Sequence, residues 1–218
     1  MLINLKNRNK IQKRSFISRG RNDHDKNSNN IIGKLRSNFL RTEYMINDNG
    51  NNPHRRSQYD DAYYEEKGDG NVRCELSAIT TLCSKGPCKM KVCIDKVDAD
   101  GNPLRLWLLT NKSDDQMATC FEDKDKKNIE KLVCLENKPL SWNDEVGAYD
   151  VLNFNGRVSM ASVKNIPLVE EADHDGNVIL QLQFGRTGKD EFSLDVQWPM
   201  SPFQAFALAL SLCDSELG

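Results

Sequence analysis

Ser201-Pro-Phe-Gln-Ala-Phe-Ala-Leu-Ala-Leu-Ser-Leu-Cys-Asp214, near the end of the chain, restricts the possible folds more than any other segment. Ser201 is placed to cap free amides, and Pro202 takes the first helical position, where its missing N–H costs nothing. Ala and Leu follow with high helix propensity, which predicts a helix over 202–214. Phe203, Phe206, Leu208, Leu210, Leu212 and Cys213, interleaved with Ala205, Ala207 and Ala209, leave no polar stripe at any angle around the axis. A run of about a dozen residues is too short for a bilayer, which needs ~20, so the helix must be enclosed by protein. Burying its large Phe and Leu side chains at ~1.5 to 3 kcal/mol each gives on the order of 10 kcal/mol, comparable with the net stability of a domain.

The middle of the chain supplies candidates for the enclosure. Asn49-Gly50, Asp69-Gly70, Asp100-Gly101 and Asp175-Gly176 take positive φ readily and suit hairpin turns, which imply antiparallel pairing. Strands are predicted at 43–46, 72–81, 90–95, 104–110, 129–136, 148–154, 178–184 and 192–197. A closed or nearly closed antiparallel β-barrel threaded by the helix follows, because closure removes sheet edges and the helix fills an interior that side chains alone leave empty. The fold class is thus mainly β with a central hydrophobic helix. Asp98-Ala-Asp-Gly101 and Asp173-His-Asp-Gly176 imitate calcium loops. Counting back from each glycine, however, puts Lys96 or Glu171 at the first ligand position, and counting on puts Trp107 or Leu182 where the bidentate Glu belongs. Hairpin turns are the better reading.

With 38% apolar and 28% charged residues, the 218-residue chain reads as a single globular domain, 1–218, that needs neither disulfides nor a structural metal. Seven cysteines, an odd number, and no signal peptide at the start predict free thiols in a reducing compartment. Cys83, Cys88 and Cys93 lie five apart, and the only histidines are His24, His54 and His174, so no zinc site is expected. The three histidines stand in polar surroundings, and no nucleophile or phosphate-loop motif occurs. No catalytic residue and no cofactor are therefore expected.

The net charge of −2 conceals an asymmetry: residues 1–58 hold 13 Lys and Arg against 4 Asp and Glu, the remainder 17 against 28. A basic start of that size suggests a polyanion or membrane-surface partner. Leu2 to Lys10 alternates, placing Lys6, Arg8 and Lys10 on one strand face, and Ile31 to Phe39 places Lys34 and Arg36 on one face of another. If these two strands pair, the cations converge, and such a grouping repels itself unless it meets an anion. The plainer alternative is a solvated polar face. Residues 18–30 have no apolar period and read as an exposed loop.

Several strings together resemble the C-terminal domain of the tubby family. Phe154-Asn-Gly-Arg-Val-Ser-Met-Ala-Ser-Val-Lys-Asn165 is similar to its first signature and Ala205-Phe-Ala-Leu-Ala-Leu-Ser211 to the start of its second. Ile32-Gly-Lys-Leu-Arg-Ser-Asn-Phe39, Asp48-Asn-Gly50, Lys85-Gly-Pro87, Asn137-Lys138, Trp142-Asn-Asp144 and Gln183-Phe-Gly-Arg186 follow in the family's order. The resemblance implies an antiparallel barrel of about twelve strands around a central helix. Met1 to Lys10 is similar to an interior strand, so the first one or two strands and the extension that carries a trafficking-partner motif are expected to be missing. Glu216-Leu-Gly218, Ile166-Pro167 and Cys88 depart from the family's usual residues.

Carried over by position, the resemblance implies that Lys6, Arg8, Lys34 and Arg36 bind the headgroup of phosphatidylinositol 4,5-bisphosphate, and that Arg157, Lys164 and Arg186 pair structurally at strand ends. The function so implied is that of a monomeric, non-enzymatic adaptor without a transmembrane segment. It would be cytoplasmic and peripheral at the inner face of the plasma membrane, with cilium or nucleus as further locations and a protein trafficking partner. The alternative is a nucleic-acid-binding transcription regulator using the basic face. No aromatic residues interleave the Lys and Arg of residues 1–14, which weakens it.

Overall fold

Alternation of apolar and polar residues becomes strand wherever a turn lets the chain return on itself. In the computed structural model the described residues are 2–4, 13–19, 30–51, 72–82, 89–109, 116–122, 128–138, 142–143, 148–149, 154–170 and 178–215. They form β1 (Leu2–Asn4), β2 (Lys13–Ser18), β3 (Ile31–Ser37), β4 (Glu43–Asp48), β5 (Glu75–Leu82), β6 (Lys89–Asp95), α1 (Met117–Glu122), β7 (Leu132–Asn137), β8 (Trp142–Asn143), β9 (Ala148–Tyr149), β10 (Ile166–Glu170), β11 (Leu180–Gly188), β12 (Glu191–Val196) and α2 (Pro202–Ser215). Strands are hydrogen-bonded in the order β1-β2-β3-β4-β5-β6-β7-β10-β11-β12, with β8 and β9 paired separately. The order has two ends, so the sheet is not closed among the described residues. The fold is mainly β with a C-terminal helix.

Residue contacts divide the chain into two units, Met1–Ala78 with Cys93–Leu132, and Ile79–Val92 with Val133–Gly218. In the first, β3 pairs antiparallel with β2 (Phe16 opposite Lys34, Ser15 opposite Leu35) and with β4 (Leu35 opposite Ile46, Arg36 opposite Met45). Ile17, Leu35, Tyr44 and Ile46 are buried, while Phe16, Ile32, Lys34, Arg36 and Met45 on the opposite face stay half-buried. The Asn49-Gly50 expectation of a hairpin gives way to a close crossing, since a Cβ at Gly50 would lie 2.6 Å from the Arg73 Cα. Asp48 Oδ1 fastens this crossing by accepting from the Gly50 N–H (2.9 Å) and the Cys74 N–H (3.0 Å). Gly101 does turn as expected, at φ 86°, with Asp98 Oδ1 accepting from the Asp100 and Asn102 N–H groups.

Two strand boundaries differ from expectation. Residues 103–109 make isolated bridges, Cys74 with Leu108 and Val97 with Pro103, instead of a ladder. Pro103 has no N–H to donate, and Leu104, Leu106 and Leu108 remain exposed while Trp107 alone is buried. Ile129–Lys131 is a 3₁₀ turn closed by the Lys131 N–H on the Asn128 carbonyl, so β7 starts at Leu132. The turns expected at Asp69-Gly70 and Asp175-Gly176, and most of the loop expected over 18–30, lie outside the described residues.

In the second unit, α2 packs on β12 and begins with a capping box. Ser201 Oγ accepts from the Gln204 N–H at 3.2 Å, and Gln204 Oε1 accepts from the Ser201 N–H at 2.8 Å. Burial of α2 is not uniform, contrary to expectation. Ala205, Ala207, Leu208, Ala209, Ser211 and Leu212 are buried, whereas Phe203, Phe206, Leu210 and Cys213 form a half-buried stripe.

The string Phe154–Asn165 is held against β11 and β12. Asn155 (φ 51°) and Gly156 (φ 76°) make a tight turn closed by the Arg157 N–H on the Phe154 carbonyl. Arg157 then forms a bidentate pair with Asp195 at 2.8 and 3.0 Å. Gln183 Nε2 also donates to Asp195 Oδ2, and Asn165 Oδ1 accepts from the Arg186 N–H. Arg186 Nε donates to the Gly188 carbonyl at 3.0 Å. A Cβ at Gly185 would fall inside the Val158 side chain, which accounts for the glycine. Gly185→Ala is expected to cost about 1–3 kcal/mol by overpacking. Chemical denaturation should show most of that loss recovered in Gly185→Ala/Val158→Ala, and a fully stable single variant would contradict the packing.

Candidate anion-binding face

Alternation along β3 puts Lys34 and Arg36 on the half-buried face, two residues apart. Each interacts with a residue of another strand. Lys34 Nζ sits 5.8 Å from the centroid of the Phe16 ring, a cation–π contact across the β2–β3 pair. Arg36 lies within electrostatic reach of Glu75, a carboxylate only 3% exposed at the start of β5. Glu75 Oε2 accepts from the Met117 N–H at 2.8 Å. Burial pushes the Glu75 carboxyl above its ordinary range, against the opposing pull of that N–H and of the Arg36 charge. Lys34 thus stands on an aromatic ring, and Arg36 balances a buried anion.

β3 leads into a turn organised by a single side chain. Asn38 Oδ1 accepts from the Thr42 N–H (3.0 Å) and the Glu43 N–H (3.4 Å), and its Nδ2 donates to Thr42 Oγ1 (2.9 Å). The Arg41 N–H closes on the Asn38 carbonyl at 3.3 Å with Arg41 at φ 56°.

Of the four expected phosphate ligands, Lys34 and Arg36 are brought onto one face, and Lys6 and Arg8 lie outside the described residues. The condition on which the cations were to converge, direct pairing of the first strand with 31–39, is not met among the described residues. β1 pairs with β2 (Asn4 opposite Phe16), and β2 stands between β1 and β3. Sequence reasoning missed β2, and with it Phe16, because the apolar Phe16-Ile17 pair is short and follows a Lys13-Arg14 run that reads as solvated. The role of Glu75 was also hidden, since only the fold brings it near Arg36.

A second acid, half-buried, lies elsewhere in the first unit. Burial pushes Asp95 up to about 7, and the Trp107 indole, short of hydrogen-bond geometry, pulls weakly the other way. Between the ordinary carboxylate value and about 7, the folded chain keeps a proton that the unfolded chain has released. Stability should therefore fall as pH rises from about 4 to about 7 and level off above. Asp95→Asn should flatten this decline and melt higher than wild type at pH 8, by roughly 2–4 °C per kcal/mol of relieved burial cost. An unchanged pH profile of melting temperature would contradict the assignment. Burial likewise raises the Cys74 thiol to about 12, with Asp95 adding to it. Cys74, Cys93, Cys120, Cys134 and Cys213 are free thiols, and Cys83 and Cys88 lie outside the described residues.

Comparison with known proteins agrees with the strings identified in the sequence. The chain is 39% identical over 193 residues to mouse Tubby-related protein 1, which covers 86% of this chain and 32% of that protein. It is 38% identical over 208 residues to mouse Tubby-related protein 2, covering 93% of the chain and 34% of the relative. Against Protein king tubby 1 of Aedes aegypti it is 34% identical over 206 residues, covering 93% and 45%. It therefore spans less than half of the length of each of these relatives. Residues 1–215 match the Tub family, and the chain belongs to that family.

Proposed function

We propose that the chain is a phosphoinositide-binding module that docks on the cytoplasmic face of a membrane and links a protein partner to it, without catalysing a reaction. The observation that carries this reading is the placement of Lys34 and Arg36 on one half-buried face, Lys34 against the Phe16 ring and Arg36 within electrostatic reach of Glu75. Two cations held at a fixed spacing suit the two adjacent ring phosphates of phosphatidylinositol 4,5-bisphosphate, whereas mobile surface lysines give only about 1 kcal/mol each toward any anionic lipid. Lys6 and Arg8 complete the site in this reading. The chain forms one domain, the sheet closes into a barrel around α2, and the protein acts as a peripheral monomer. No helix among the described residues is long and apolar enough to cross a membrane.

The test is a titration with soluble inositol 1,4,5-trisphosphate and, separately, with short duplex DNA at physiological salt. Saturable binding of one headgroup per chain, with DNA binding weak and lost as salt rises, is the expected result. Tight, salt-resistant DNA binding with no headgroup binding would replace this reading by the nucleic-acid one.

A further inference from the structure

The β3–β4 turn carries two large apolar side chains that the fold leaves in water: Phe39 is 70% and Leu40 73% exposed. A tight turn favours small or polar residues at such positions. The Asn38 bonds to Thr42 and Glu43 already fix this turn without any contribution from the Phe39 or Leu40 side chains. The pair is therefore presented on a braced tip, and cations flank it along the chain, with Lys34 and Arg36 before it and Arg41 after it. Apolar side chains at the tip with basic residues behind match the layering of an anionic bilayer, apolar core beneath charged headgroups.

The spacing along β3 fits that layering. Arg36 precedes Phe39 by three residues, about 10 Å of extended chain, and Lys34 by five, about 16 Å. The polar zone of one leaflet is roughly 5–8 Å deep. With the tip at the acyl boundary, Arg36 stands just above the polar zone, from where its long side chain reaches back to the phosphodiesters, and Lys34 stands at the height of a ring projecting from the surface.

We propose that Phe39 and Leu40 insert into the lipid bilayer, so that the β3–β4 turn anchors the protein while Lys34 and Arg36 hold the headgroup. This deepens the phosphoinositide reading and rests on it. The test uses Phe39→Ser/Leu40→Ser, which keeps Asn38, Arg41 and Thr42 and so keeps the turn. Affinity is measured for phosphatidylcholine vesicles containing phosphatidylinositol 4,5-bisphosphate and for soluble inositol 1,4,5-trisphosphate, and surface pressure is followed beneath a monolayer of the same lipids. The variant should bind vesicles about tenfold or more weakly, bind the soluble headgroup like wild type, and lose the pressure rise that wild type produces. Vesicle binding equal to wild type would overturn the proposal. Equal loss for vesicles and soluble headgroup would overturn it too, since the substitution would then act on the cation site. Failure of the phosphoinositide reading looks different: wild type would ignore the soluble headgroup, and the monolayer would still decide for or against insertion.

Discussion

Leu208→Asp is expected to yield protein that is insoluble or unfolded. Leu208 is 1% exposed on α2, flanked by the buried Ala207 and Ala209. The substitution removes a buried side chain, at about 2–5 kcal/mol, and leaves a carboxylate without a partner in an apolar setting, at several kcal/mol more. Together these approach the whole stability of a domain, about 5–15 kcal/mol. Phe206→Asp and Leu210→Asp should be milder, because these positions belong to the half-buried stripe, where water reaches the new charge. Soluble yield and thermal melting check the ranking. Leu208→Asp melting like wild type would refute a structural role for α2.

Lys34→Ala and Arg36→Ala should both weaken headgroup binding, but only the second should also weaken the fold in a pH-dependent way. Each loses a charge-assisted contact of ~1.5–3 kcal/mol, about tenfold or more in affinity, and the double variant about a hundredfold or more. Arg36 in addition offsets the buried Glu75 carboxylate. Removing it raises the Glu75 pKa further, so the stability lost by Arg36→Ala should be larger at pH 8 than at pH 5, where a raised carboxyl is already partly protonated. The melting loss of Lys34→Ala should show no such pH dependence, since the charge acting on Glu75 is that of Arg36. Calorimetric titration with the soluble headgroup and melting at both pH values separate the two roles. Equal pH dependence of the melting losses for both variants would contradict the assignment of Arg36 to Glu75.

α2 was legible almost to the residue, expected over 202–214 and found over Pro202–Ser215, because its start is signalled locally by Ser201 and Pro202. Its uneven burial was not legible, because which side of an all-apolar helix meets water depends on what packs against it. Strand positions in the middle of the chain followed from alternation at β4, β5, β6, β11 and β12. Alternation misled at Leu104, Leu106 and Leu108, where the leucines are the exposed residues. It was silent at β10, whose Ile166-Pro-Leu-Val169 is buried throughout and carries no period of two.

The candidate site divides in the same way. Lys34 and Arg36 share a face because neighbours two apart on a strand must, and this needs only the sequence. Phe16 and Glu75 reach them through pairing across strands and through packing between elements far apart in the chain, which no local pattern encodes. The exposed Phe39-Leu40 tip falls in the same class, since the sequence lists the residues but not their exposure.

The central claim is that the face selects a bisphosphate headgroup and does not merely adhere to negative charge. Co-sedimentation with two vesicle preparations of equal surface charge tests it most directly, one carrying phosphatidylinositol 4,5-bisphosphate and the other extra phosphatidylserine. The account predicts that wild type binds the first about tenfold or more tightly, and that Lys34→Ala/Arg36→Ala binds both equally weakly. Equal binding of wild type to the two preparations would contradict it.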